Sequence, residues 1–151
     1  MTAENFDRFH QAQAPGFENA LKEIRAGRKR SHWIWYILPQ IAGLGHSSMA
    51  QFYALRDLAE ARAYLRDPVL SSRYAEIAQA AAEQLEGGAA LETLMGSPVD
   101  ALKLVSSLTL FREAAKEEHP ALAELCDELL QFAAAQNYLP CAFTTAQLTR
   151  G

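Results

Sequence analysis

The chain has 151 residues, 50% hydrophobic and 21% charged, with a formal net charge of −4, the composition of one ordinary globular domain. The acidic balance argues against a generic nucleic-acid binder, which carries a basic surface. The longest apolar run, Trp33 to Pro39, is far shorter than the roughly 20 residues of a membrane span. Two cysteines, Cys126 and Cys141, cannot build a disulfide framework. No charged-then-apolar leader opens the chain, so the sequence predicts a cytoplasmic protein with neither nucleic-acid nor membrane partners.

Helical periodicity dominates. Phe6, Phe9 and Gln13 predict a short helix ended by Pro15-Gly16. Phe17, Ala20, Leu21 and Ile24 stand at i, i+3, i+4, i+7, one stripe of a second helix that Gly27 stops. The run Trp33 to Leu38 fits a strand or a buried helix equally well, and Pro39 closes it. Ser48 and Gln51 have capping-box spacing, which opens a helix with Met49, Phe52 and Tyr53 inward. Asp57 and Glu60 start another, with Leu58, Ala61 and Leu65 as its stripe. Asp67-Pro68 caps a long helix through Leu70, Tyr74, Ile77, Ala78, Ala81 and Leu85, ended by Gly87-Gly88. After a short piece at Leu91 to Met95, Ser97-Pro98 with Asp100 is the clearest start signal. Leu104, Leu108, Phe111 and Ala115 then face inward. Leu122, Leu125, Cys126, Leu129, Phe132 and Ala133 form the last stripe, stopped near Asn137. These elements predict an all-α fold: one compact domain, residues 1–151, of about five to seven helices. Its core spans about 5–135, and the tail, 138–151, has no clear period.

Metal and cofactor motifs are missing: no CxxC, HExxH, Walker loop or EF-hand ladder. His10, His32, His46 and His119 lack metal-ligand spacing. Gly45-His46-Ser47-Ser48-Met49 begins like a nucleophile elbow but has Met49 where the second glycine belongs. No metal and no cofactor is predicted. Cys126 lies on an apolar stripe as inert core, and nothing in the sequence activates Cys141.

Three regions carry the polar chemistry. In the first, Arg28, Lys29 and Arg30 precede Ser31, His32, Trp33 and Trp35, a set suited to a phosphate or a flat ring. Basic residues after a helix also complement its negative end. In the second, Gly43, Gly45 and Ser47 precede a helix, where N–H groups can meet an anion or a serine can simply cap. In the third, Lys103, Ser106, Ser107 and Thr109 place short hydroxyls in mid-helix. A solvated helix face is the ordinary reading of such a set, but short hydroxyls are poor helix formers, and close helix packing or a ligand is the other reading.

The strings Gly27-Arg28-Lys29-Arg30-Ser31-His32-Trp33-Ile34-Trp35-Tyr36-Ile37-Leu38-Pro39-Gln40, Gly43-Leu44-Gly45-His46-Ser47 and Asp100-Ala101-Leu102-Lys103-Leu104-Val105-Ser106-Ser107-Leu108-Thr109-Leu110-Phe111 resemble a bacterial family known as domain of unknown function 1810. Tyr53-Ala54-Leu55, Glu60 to Leu65 and Pro68-Val69-Leu70 also match, so the resemblance covers about residues 5–135. Tyr138 to Gly151 departs from it. The resemblance implies a mainly helical fold and no established reaction, and its motif residues concentrate in the three regions above.

Three readings follow. The first is a small-molecule site for a phosphorylated or nucleotide-like ligand. Lys29, Arg30 and Lys103 would supply charge, Ser31, Gln40, Ser47, Ser106, Ser107 and Thr109 would supply polar contacts, and Gly43 and Gly45 would supply backbone approach. Trp33 or Trp35 would stack on a ring, and His32 would be the acid or base. His32, Trp33, Gln40, Ser47, Lys103 and Ser107 are then expected around one pocket. The second is a non-catalytic module binding a protein or peptide through the aromatic and basic patch. The third is packing, with Lys103 paired to Asp100 and with His32 and Gln40 satisfying buried backbone.

Overall fold

The computed structural model describes residues 5–150. Their helices are α1 (Asp7–Arg25), α2 (Ile34–Ile37), α3 (Ser48–Phe52), α4 (Leu58–Arg66), α5 (Pro68–Glu86), α6 (Leu91–Met95), α7 (Pro98–Ala115), α8 (Pro120–Ala135) and α9 (Ala142–Arg150). Among the described residues there is no strand, only one isolated parallel bridge between Ile41 and Leu55. The fold is all-α, as its sequence pattern implies. Its helix count exceeds five to seven because α2, α3 and α6 are single turns of four or five residues and the tail adds α9.

Helix α7 is the axis. Ser97 caps it by accepting from the Asp100 N–H at 3.1 Å, with Pro98 in the first turn. It packs against α2, α4, α6, α8 and α9, so it is buried on almost every side. Leu104, Leu108, Phe111 and Ala115 lie in the core as expected, but so do Ser106, Ser107 and Thr109. Their hydroxyls bond within the protein. Ser107 meets the Tyr74 hydroxyl at 2.9 Å. Ser106 donates to the Leu102 carbonyl at 3.0 Å, and Thr109 donates to the Val105 carbonyl at 2.7 Å. Short side chains let neighbouring helices approach, and the back-bonds satisfy their oxygens.

Helix α1 runs through Pro15 instead of stopping there. Phe9, Gln13, Phe17, Ala20, Leu21 and Ile24 form one buried stripe across the proline. A proline inside a helix costs about 3 kcal/mol, whereas each large apolar side chain buried contributes about 1.5–3 kcal/mol, so burial wins. Gly16 is there for space: a Cβ would lie 2.8 Å from the Tyr36 hydroxyl. Gly27 does stop the helix, at φ +91°. Arg28 N–H reaches the Glu23 carbonyl at 3.1 Å and Gly27 N–H the Ile24 carbonyl at 2.9 Å, a Schellman closure. Asn137, φ +73°, closes α8 in the same way.

The structure decides one open reading and alters two others. Trp33 to Leu38 is a single helical turn, because Trp33, Ile34, Ile37 and Leu38 are the buried positions and that spacing is helical. In α3 the cap is Ser47, not Ser48, and Met49 and Phe52 point outward, 39% and 58% exposed. A five-residue helix covers little core, and the inward contacts fall to Tyr53, whose ring lies 5.6 Å from those of Phe9 and Tyr36. The tail folds as α9 because α7 receives it: Thr144 is wholly buried and Leu148 packs on the core.

Replacing Leu108 by Ala is expected to cost about 2–5 kcal/mol in urea denaturation, since the surrounded α7 cannot collapse into the gap. A cost below about 0.5 kcal/mol would contradict this packing.

Candidate functional site

The segment 28–33 leaves α1 and folds back over its own helix. Its anchor is Glu23, 8% exposed. Glu23 Oε1 accepts from the backbone N–H of Arg30 (2.7 Å) and Ser31 (2.9 Å) and from Trp33 Nε1 (3.0 Å). Oε2 accepts from Ser31 Oγ (2.6 Å) and Asn19 Nδ2 (2.7 Å). Burial alone would raise this carboxyl. The donors from Ser31, Arg30 and Trp33 outweigh it and hold the carboxyl at about 2.

Lys29 turns the other way and is buried. Its Nζ lies 2.7 Å from Asp100 Oδ2, donates to the Ser31 carbonyl at 2.5 Å and stands 5.0 Å from the centre of the Trp33 ring. Its backbone N–H bonds the Leu94 carbonyl at 2.7 Å. Gly96, φ +85°, lies beneath; a Cβ there would stand 2.7 Å from the Lys29 carbonyl oxygen. The segment is thereby fixed to α1 by one carboxylate and to the start of α7 by another.

Lys103 lies at the edge of this arrangement. Its Nζ is 3.7 Å from Asp100 Oδ1 and 4.9 Å from the centre of the Trp35 ring, with 27% of the side chain exposed. Trp35 Nε1 is buried without a hydrogen-bond partner. Among the described residues, this is the one place where a predicted cation, a predicted ring and an unmet donor coincide.

The structure does not gather the remaining predicted residues around one pocket. Trp33 and Ser107 are core, and Lys29 is consumed by its ion pair. Ser31 is spent on Glu23, and Ser106 and Thr109 on α7 itself. Arg30 and His32 are exposed, and among the described residues the His32 ring makes no hydrogen bond. Ser47 caps α3, accepting from Ala50 N–H at 3.1 Å. Gly43 admits Phe143, whose ring would lie 2.8 Å from an added Cβ, and Gly45 admits Ala50 at 2.5 Å. With Gln40 these glycines line a hollow of only about 130 Å³. Two larger surface grooves, about 550 and 430 Å³, hold none of the predicted residues. Among the described residues no three His, Cys, Asp or Glu side chains come together to hold a metal ion, and no helix is long and apolar enough to cross a membrane.

Sequence reasoning missed Glu23 and Asn19. Their signal was an acid beside Ile24 on a buried stripe, with donors at Ser31 and Trp33 one loop away. It also read Cys141 as unactivated. Burial raises that thiol, but the Ser106 and Thr144 hydroxyls and the backbone N–H groups of Thr144 and Phe143 outweigh it, so the net shift is downward. Cys126 is inert as expected: burial pushes it up to about 12.

Glu23 has a folded pKa depressed from 4.5 to about 2, so its contribution is complete above the ordinary carboxylate range and is lost as pH falls from about 4.5 toward about 2. Glu23→Gln is expected to cost about 2–3 kcal/mol at neutral pH, because donors are left facing an amide, and to flatten that acid limb. Denaturation across the acid range checks both; an unchanged limb would contradict the assignment.

The family described as protein of unknown function (DUF1810) matches residues 3–139. The crystal structure of the conserved hypothetical protein Rv1873 from Mycobacterium tuberculosis is similar, with a TM-score of 0.79 and 35% identity over 95% of each chain. Among curated proteins, none matches. With its helical fold and its matched length, the chain belongs to the DUF1810 family.

Proposed function

We propose that the chain binds a small anionic ligand, phosphorylated or nucleotide-like, at the seam between α2 and α7 through Lys103 and Trp35. The observation that carries this reading is the Trp35 indole N–H, buried with no acceptor beside a partly exposed ammonium on the same ring. An unpaired buried donor costs about 1–3 kcal/mol, which a ligand oxygen would recover. Asp100 faces two lysines, Lys29 at 2.7 Å and Lys103 at 3.7 Å. One carboxylate between two ammonium groups leaves net positive charge for an anion. A phosphate oxygen suits that charge, and a flat ring suits the exposed part of the indole.

The activity proposed is binding. His32, exposed and without a hydrogen bond among the described residues, is given no catalytic role, and the reading requires no metal or cofactor. Two free thiols and an acidic net charge favour a cytoplasmic protein without a nucleic-acid partner. A second reading, docking of a peptide, is favoured by Val99 and Leu102, 60% and 56% exposed on the helix that carries Lys103.

Thermal shift and calorimetry with inorganic phosphate and adenosine monophosphate test the proposal. Both ligands are expected to raise Tm. Lys103→Ala should abolish the rise and Trp35→Phe should weaken it, while Lys103→Ala stays within about 1 kcal/mol of wild-type stability. Lys29→Ala, which strands Asp100, should instead cost about 3–5 kcal/mol. Undiminished phosphate binding by Lys103→Ala would contradict the site. Peptide binding without any response to phosphate would replace it by the second reading.

A further inference from the structure

Helices α1 and α5 pack side by side and run the same way. His10 meets Asp67 at 2.7 Å near their starts, and Gln84 donates to the Arg25 carbonyl at 3.0 Å near their ends. Between them lies a groove of about 390 Å³. Phe17 and Glu18 line it from α1, and Val69, Ser72, Arg73 and Glu76 from α5. The α5 residues stand at i, i+3, i+4 and i+7, one helical face. None of these residues belongs to the seam of Lys103 and Trp35.

Arg73 is half-buried at this groove. Among the described residues its guanidinium meets no carboxylate. It donates one long hydrogen bond, from Nη1 to Gln13 Oε1 at 3.4 Å, and stands 5.7 Å from the centre of the Phe17 ring. Both contacts fix its position. Gln13 is 1% exposed, and its amide N–H groups go to the Tyr36 carbonyl (2.6 Å) and the Tyr64 hydroxyl (3.0 Å), which leaves its oxygen for Arg73. A guanidinium is rich in donors, and an aromatic face occupies none of them, so most remain unused by the protein.

The rest of the lining has two further properties. Phe17, Pro68 and the 43%-exposed Val69 form an apolar wall. Glu18, exposed, has no ion pair among the described residues, and Glu76 is held by Arg25 at 3.7 Å. One groove therefore carries a cation without a counter-ion, a carboxylate without one, and apolar surface.

We propose that this groove binds an α-amino acid with an apolar side chain. Arg73 takes the carboxylate through paired N–H groups, Glu18 faces the ammonium, and the wall of Phe17, Pro68 and Val69 receives the side chain. A carboxylate alone would satisfy Arg73 but bring a second negative charge beside Glu18 and Glu76. An ammonium alone would meet the charge of Arg73. The zwitterion complements both signs.

Heteronuclear NMR titration of the full chain tests this with three probes: L-phenylalanine, hydrocinnamate, which lacks the ammonium, and phenethylamine, which lacks the carboxylate. Phenylalanine is expected to give saturating shifts at Phe17, Val69 and Ser72. The two analogues should bind at least about threefold more weakly, the factor an exposed ion pair supplies. Arg73→Gln should lower phenylalanine affinity at least about tenfold, the loss of a charge-assisted contact, with an unchanged melting curve. Glu18→Gln, at an exposed position, should close most of the gap between phenylalanine and hydrocinnamate, and it tests the site even if Arg73→Gln melts early. Lys103→Ala should leave phenylalanine binding unchanged, which keeps this groove distinct from the anion seam. No saturating shifts in the groove, an equal response to the three probes, undiminished binding by a folded Arg73→Gln, or a gap unaltered in Glu18→Gln would overturn the proposal.

Discussion

A carboxylate inside a helical protein organises the part of the chain where most of the family-like motif lies. Glu23 is nearly enclosed and remains ionised because five donors converge on it, from Asn19, Arg30, Ser31 and Trp33. Burying a charge costs several kcal/mol unless its lone pairs are filled, so the loop must present its N–H groups inward. That requirement fixes the rest. Ser31 and Trp33 face Glu23, and Lys29, two residues before Ser31, points toward α7 and meets Asp100. The Trp33 ring enters the core, and His32, between two inward residues, is left in solvent.

Asp100 links this loop to α7. Its N–H completes the Ser97 cap, and its carboxylate takes Lys29. The same helix is crowded by five other elements, which accounts for its run of small hydroxyl residues. Ser106, Ser107 and Thr109 permit close approach without leaving unmet polar atoms. Among the described residues, the two buried side-chain polar atoms without partners belong to Trp35 of α2 and Thr144 of α9, two of the elements that pack on this helix.

What the sequence made legible was local. The Asp67 and Ser97 caps, the Gly27 and Asn137 stops and the apolar stripes of α5, α7 and α8 depend on neighbours a turn away. What it hid depends on distant partners. Pro15 reads as a break until Phe9 and Phe17 are seen to share one core. The tail has no period because α7, not its own pattern, holds it. Lys29 and Lys103 look alike in sequence; only the fold decides that one is sealed against Asp100 and the other left at the surface. The serines of α7 read equally as ligand contacts or as packing, and their partners, Tyr74 and the preceding turn, could not be read from spacing.

The central claim is that Glu23 is a buried, ionised hub for the loop. Carboxyl carbon NMR of selectively labelled protein, titrated through the acid range, tests it most directly. The account predicts that the Glu23 resonance moves only near pH 2, together with the Trp33 indole N–H. A midpoint near the ordinary 4.5, with the indole signal unmoved, would contradict it.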